Sequence, residues 1–353
     1  MEPSFAWTIT VPSAMLNLKS PIVHLFFLMM IAVAAAVSPR IFLETLRYAP
    51  IGGTYSVIPV INDHMLDFSF HMDRLCSGFE ILSKSSIDYS TFHAGALNAI
   101  REAKVTANST PLKSTKSSAI VTIAMYKDVE NDTISMSALY TAVNISTYIS
   151  TSLLPQAVAD VHYFRRKLPN VKDIRWQKDR KIVESRRKNI NVDESLLLRK
   201  NFDLCTDAFT EGLVSNLFVI DESYNVITCP SSFVLPGCMS KIVRNICYEH
   251  GINVIERPPL LSDLPYWKSA FIVSCCKPVW ILKGLYLPPV SAQMDEDGWF
   301  YCSLLKRYDK RSMDIIVIIK QNLSKIFINA AEGRYSQGMY GTTWDPIETV
   351  SLC

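Results

Sequence analysis

Glycine is scarce in this chain. There are 12 in 353 residues, about half the usual share, and with 18 scattered prolines neither a collagen-like nor an elastic repeat can be built. An excess of charge is also missing: 36 Lys+Arg stand against 33 Asp+Glu, a net of +3, so bulk charge implies no nucleic-acid partner. Cysteine falls short of a disulfide scaffold's density and is odd in number, nine in all, with no Cys-X-X-Cys pair. That excludes a disulfide scaffold. The adjacent Cys275 and Cys276 cannot both reach one tetrahedral ion without strain, so no metal site is expected. The thiols read as mostly buried and reduced, which favours a reducing compartment. No apolar run reaches the ~20 residues of a spanning helix. The segment 22–37 is sixteen residues interrupted by His24; only Lys19 precedes it as a nearby base, and Ala34 to Ala36 before Ser38 resemble a cleavage site. It reads as a buried stretch or an extension on an otherwise soluble chain, with a membrane anchor or signal as the less favoured alternative. What is present suffices for a core: 49% hydrophobic and 20% charged residues exclude a disordered chain, and the length suggests two domains.

Along the chain, residues 54–61 read as a strand that Pro59 weakens or pushes to an edge. Phe68, Met72, Leu75, Phe79 and Leu82 recur at spacings of four and three, a helix with His71, Asp73 and Arg74 outside its apolar stripe. A second helix covers 88–104 with Asp88 as N-cap, and 119–126 reads as a buried strand, whereas 128–150 carries no clear pattern. Between Arg165 and Lys188 eleven of 24 residues are basic and three acidic. Strand-like Leu196 to Leu198 follow, then a hairpin of 215–221 and 225–230 around Glu222-Ser223-Tyr224. Pro236-Gly237 opens a helix with Met239, Ile242, Val243, Ile246 and Cys247 on one face, stopped by Gly251. Residues 252–256, 270–276 and 314–320 read as strands. The alternation gives an α/β (α+β) class without internal repeats. Asn-X-Ser/Thr sequons at Asn108, Asn131, Asn144 and Asn322 do not decide the compartment.

Four blocks in order carry a family likeness: LPNVKDIRWQKDRK with Lys172, Trp176 and Arg180; DESLLL; TEGLVSNLFVID followed by VITCP; and VLPGCMSKIVRNICYEHGINVIE followed by AFIVSCC. From Pro169 to Leu282 the chain resembles the class IV aminotransferases, the fold-type IV pyridoxal-phosphate enzymes. The nearest pattern is that of plant D-amino-acid-aminotransferase-like proteins. The likeness extends weakly upstream through GGTYSV and HMDRL, and fades before about residue 45 and after about residue 290. It implies a two-domain fold with a hydrophobic extension over 1–40, a small α/β domain over 41–155, a larger pseudo-barrel domain over 156–335 and a tail over 336–353. It also implies a homodimer in the cytoplasm or a plastid.

The implied cofactor is pyridoxal 5'-phosphate. Its aldehyde needs an amine, best a partly desolvated lysine, and by resemblance that amine is Lys172, also the catalytic residue. Its ring nitrogen needs an acid, which Glu211 matches, flanked by Ser215 and Asn216. Its phosphate needs amides at a helix start, supplied by Cys238 and Met239, and a contact after the 270–276 strand, at Ser274 or Cys275. Relatives have Thr or Ser where Met239 stands, and a hydroxyl where a thiol stands here. They also carry a phosphate-binding Arg at the place of Ile58-Pro59; Arg74 on the next helix could compensate, but that helix reads rather as a packing element.

The function implied is transfer of an amino group between an amino acid and a 2-oxo acid. Alternatives are an aminodeoxychorismate lyase-like enzyme and a degenerate homologue with weak or no catalysis, the latter motivated by Pro59, Met239 and Cys275. A binder of nucleic acid or anionic membrane through 165–188 is the competing class. Against it, only Phe164 and Trp176 stand nearby for stacking, and a solvated helix face is the plainer explanation.

Overall fold

The computed structural model describes residues 7–10, 53–109, 118–127, 134–149, 154–187, 191–203, 206–288, 299–335 and 339–347. The apolar segment 22–37 and Lys188 lie outside the described residues.

A first sheet holds six strands. Its centre is β2 (Gly53–Ile61), antiparallel to β4 (Ser118–Lys127), which pairs with β5 (Ile134–Ala142) and, beyond it, β1 (Trp7–Thr10). On the other side of β2 lie β3 (His64–Leu66) and β15 (Trp344–Pro346). Segments read from the sequence as an extension and a tail thus each lend a strand to this sheet. Pro59 sits inside β2 rather than at a sheet edge. It faces Ile120 on β4, whereas β3 covers only Val60 and Ile61, so at Pro59 the strand has a neighbour on one side only. β5 falls in the stretch that showed no pattern; Ile134 and Ser135 are only half-buried and its apolar alternation is short.

Helix α1 (Phe68–Ser83) packs Phe68, Met72, Leu75 and Phe79 on β2 and β4, together with Ile100 and Ala103 of α2 (Tyr89–Ser109). Asp88 caps α2 as its sequence position indicates, accepting from the amides of Ser90 and Thr91. His71, outside the predicted stripe, is fully buried. A one-turn helix, α3 (Ser146–Ile149), leads to the second sheet.

That sheet runs β11 (Val254–Glu256), β10 (Val226–Thr228), β9 (Asn216–Ile220), β12 (Ser269–Val273), β13 (Trp280–Leu287), β6 (Gln156–Tyr163), β7 (Glu194–Asp203) and β8 (Thr206–Gly212), with β14 (Phe300–Ser303) on β13. β8 returns to β9 through the pair Glu211–Asn216, so six strands close into a ring. Alternation sorts the side chains. Leu217, Val219, Ala270 and Ile272 fill the inside with Leu196, Leu198 and Phe209. Phe218, Ile220, Phe271 and Val273 face out under α5 (Cys238–Glu249) and α6 (Lys310–Ala331). The helix α4 (Trp176–Glu184) lies in the basic run.

Residues 314–320 belong to α6, not to a strand. An unbroken apolar run of five, Ile315 to Ile319, suits a buried helix as well as a strand. Here Ile315, Ile316, Ile319, Leu323, Ile326 and Phe327 lie on one helical face, and Asp309 and Ser312 form a capping box at its start.

Candidate active site

Lys172 is placed by backbone. The amide of Tyr55 donates to the Lys172 carbonyl (3.0 Å) and that of Ile174 to the Gly53 carbonyl (2.8 Å), which ties 172–174 to the start of β2. The Lys172 Nζ then stands 4.8 Å from the centre of the Tyr55 ring, whose hydroxyl accepts from Gln177 Nε2 at 3.0 Å. Burial lowers the pKa of Lys172; the cations Arg74 and Arg166 push the same way, while Tyr55 and Cys275 oppose them.

Arg74 reaches this site from α1. Arg74 is more than a packing element of α1. Its Nη1 donates to the Pro236 carbonyl (2.8 Å) and its Nη2 to Ser56 Oγ (2.7 Å). Pro236 immediately precedes Gly237, the N-cap of α5, whose extended backbone (φ −82°, ψ 137°) leaves the amides of Cys238, Met239 and Ser240 without acceptors inside the helix. The Met239 side chain is buried in the core under α5, so only its main chain is available to the site. Cys238 donates its thiol to Asp67 (3.8 Å), which also pairs with Lys241 at 3.1 Å. Burial raises both nearby thiols, Cys275 to about 11, so neither supplies an anion near neutral pH. Ser274 Oγ accepts from the Lys277 amide and closes a turn.

Glu211 lies at the ring closure. Its Oε1 accepts from Arg166 Nη1 at 2.6 Å and its Oε2 from the Leu235 amide at 3.0 Å, with both side chains buried. Arg166 stacks on Trp176 and also donates to the Val171 carbonyl, one residue before Lys172. Asn216 donates to the Leu235 carbonyl, and a β-carbon on Gly237 would collide with its Oδ1. Asn216 therefore holds the 235–237 turn in place. A cavity of about 230 Å³ adjoins Glu211, lined also by Arg165, Arg166, Arg199 and Phe233.

Lys172, Arg74, Glu211 and the start of α5 thus form one contiguous group, linked through Arg166 and the 235–237 turn. The basic run is not one solvated face: Arg166 and Arg180 are buried against Glu211 and Glu184, and Arg175 pairs with Asp173. The family "Amino-transferase class IV" matches residues 53–284. The chain belongs to the class IV aminotransferases. Solved relatives share the fold. The branched-chain aminotransferase of Escherichia coli is 16% identical, with a TM-score of 0.56 over 87% of this chain and 92% of its own. That of Thermobaculum terrenum is 14% identical, with a TM-score of 0.60 over 86% and 91%. A hypothetical aminotransferase from Mycobacterium tuberculosis, solved in its pyridoxal-phosphate-bound form, is 10% identical, with a TM-score of 0.57 over 78% and 89%. No curated protein matches the chain. Family membership makes this a pyridoxal-phosphate-dependent transaminase acting on an amino acid and a 2-oxo acid.

The residues present fit that cofactor. Among the described residues neither Lys172 nor Arg74 meets a carboxylate, and Arg74 Nε, His71 Nε2 and Gln177 Oε1 are buried without partners. Two half-buried, mutually repelling cations beside free helix amides call for an anion. Sequence reasoning missed Arg166, which is indistinguishable in a run of bases, and Gln177, Ser56 and His71. The i, i+3 spacing of His71 and Arg74 in HMDRL carried the only signal for the last.

Proposed function

We propose that Lys172 is the catalytic amine, that Arg74 and the first amides of α5 hold the cofactor phosphate, and that Glu211 faces the ring nitrogen. The observation that supports this most is the uncompensated pair Lys172–Arg74 at the start of α5. When bound, the cofactor supplies an aldehyde for the amine and a ring that accepts an electron pair from the substrate α-carbon. Lys172 Nζ, its pKa lowered by burial, takes the proton from that α-carbon and later returns it. Glu211 keeps lone pairs free beyond its bonds to Arg166 and Leu235, enough to accept from a protonated ring nitrogen. The Tyr55 ring shields one side of Nζ from water. We further propose a homodimer, which light scattering tests.

The test of the site is an absorbance titration with pyridoxal phosphate. The full-length protein gains a visible band on binding, and Lys172→Ala removes that band while other folding signals stay unchanged. A panel of amino acids with 2-oxo acids then identifies the substrate pair. A Lys172→Ala protein with the wild-type band would refute the assignment.

A further inference from the structure

We propose that Ser56 and His71 form a neutral relay that sets the guanidinium of Arg74 for an anion at the start of α5. The inference rests on the assignment of Arg74 to the phosphate made above.

An arginine side chain carries large rotamer freedom, and a phosphate site gains from losing it before the ligand arrives. Arg74 is held at two points, the Pro236 carbonyl and Ser56 Oγ. Ser56 Oγ already accepts from Arg74, so its own hydrogen goes to the one further partner it has, His71 Nδ1 at 2.9 Å. That assigns the tautomer: Nδ1 bare, the hydrogen on Nε2. Both Ser56 and His71 are fully buried, on β2 and α1 respectively, so the relay is fixed by the packing of helix on sheet.

The chemistry of the partners is the telling point. A carboxylate in place of Ser56 would hold Arg74 as firmly but would cancel its charge. Every polar partner of Arg74 here is neutral: a hydroxyl, an imidazole Nδ1 at 3.4 Å and a main-chain carbonyl. Burial and the neighbouring Arg74, Lys172 and Lys241 keep His71 unprotonated, as an acceptor must be. Nη2 faces Ser56 and His71 and Nη1 spends one hydrogen on Pro236, which leaves Nε–H and the second Nη1 hydrogen for an incoming anion.

The experiment compares pyridoxal phosphate with pyridoxal, which lacks the phosphate, by absorbance titration of the full-length protein. We expect Ser56→Ala and His71→Leu to raise Kd for pyridoxal phosphate about tenfold, the value of one well-placed charge-assisted hydrogen bond, and to leave Kd for pyridoxal unchanged. His71→Asn keeps an acceptor near the Nδ1 position and stays within about twofold of wild type. In an Arg74→Ala background Ser56→Ala adds nothing further. If Arg74→Ala weakens pyridoxal phosphate while Ser56→Ala and His71→Leu bind it normally, the relay is refuted and the phosphate assignment stands. If Arg74→Ala has no effect on either ligand, the phosphate assignment itself is wrong. Equal weakening of both ligands marks a merely structural role and overturns the relay. Should His71→Leu not fold, Ser56→Ala and the contrast of His71→Asn with His71→Gln decide in its place.

Discussion

Replacing Arg166 with methionine removes the cationic half of a buried ion pair and keeps most of the side-chain volume. The pair is short, 2.6 Å from Nη1 to Glu211 Oε1, and the two side chains are 7% and 4% exposed. At an effective dielectric of about 20, Coulomb's law gives about 6 kcal/mol of attraction at that distance. Desolvating both groups offsets much of this, yet removing one partner strands the other, a change that costs about 3–5 kcal/mol. Loss of the bond to the Val171 carbonyl and of the stacking on Trp176 pulls in the same direction. Urea denaturation of Arg166→Met should therefore show a loss near the lower end of that range. Arg166→Met/Glu211→Gln should recover part of it, since a neutral amide needs no counter-ion. A single variant within about 0.5 kcal/mol of wild type would refute the view that this pair holds the ring closure in place.

Three further outcomes follow from the geometry. Gly237→Ala forces a β-carbon onto Asn216, so we expect about 1–3 kcal/mol of lost stability by urea denaturation and weaker pyridoxal phosphate binding by titration. Asp309→Ala removes the cap of α6, which accepts the Ser312 amide at 2.8 Å, and should cost about 1 kcal/mol in the same denaturation assay without changing cofactor affinity. His71 has a folded-state pKa well below 6.5, so the unfolded chain takes up its proton first as pH falls; stability contributed by the neutral ring is intact above pH 6.5 and declines below it. The difference in urea midpoint between about pH 8 and about pH 5 should shrink in His71→Asn.

The sequence made some of this legible through period and order. The stripe of α1 and the face of α5 repeat at helical spacing, and both helices fall where that spacing puts them. α6 did not, because isoleucine and valine in an unbroken run carry β-propensity while the packing of α5 and β12 decides for helix. Lys172 and Glu211 were singled out by the order of four blocks, not by any property of their own, since one sits among bases and the other on an ordinary strand. Arg74 was read as external because its helix face is polar by composition. What composition omits is that the polar face of α1 abuts the 235–237 turn of the second sheet, a contact between residues 162 positions apart. Arg166 was hidden by its neighbours: in a dense basic run, only the buried ion pair with Glu211 sets it apart, and spacing does not show that.

The hoop of strands in the second sheet closes through one ladder pair, Glu211 opposite Asn216, and the Gly212–Ser215 turn that joins the two strands. A barrel with a one-pair clasp opens there first, and Glu211 beside that clasp is the group we propose to meet the cofactor ring. Loading the protein should then act as a latch: amide exchange in β8 and β9 slows when the ring is charged with cofactor, whereas the far strands, stitched along their whole length, barely respond.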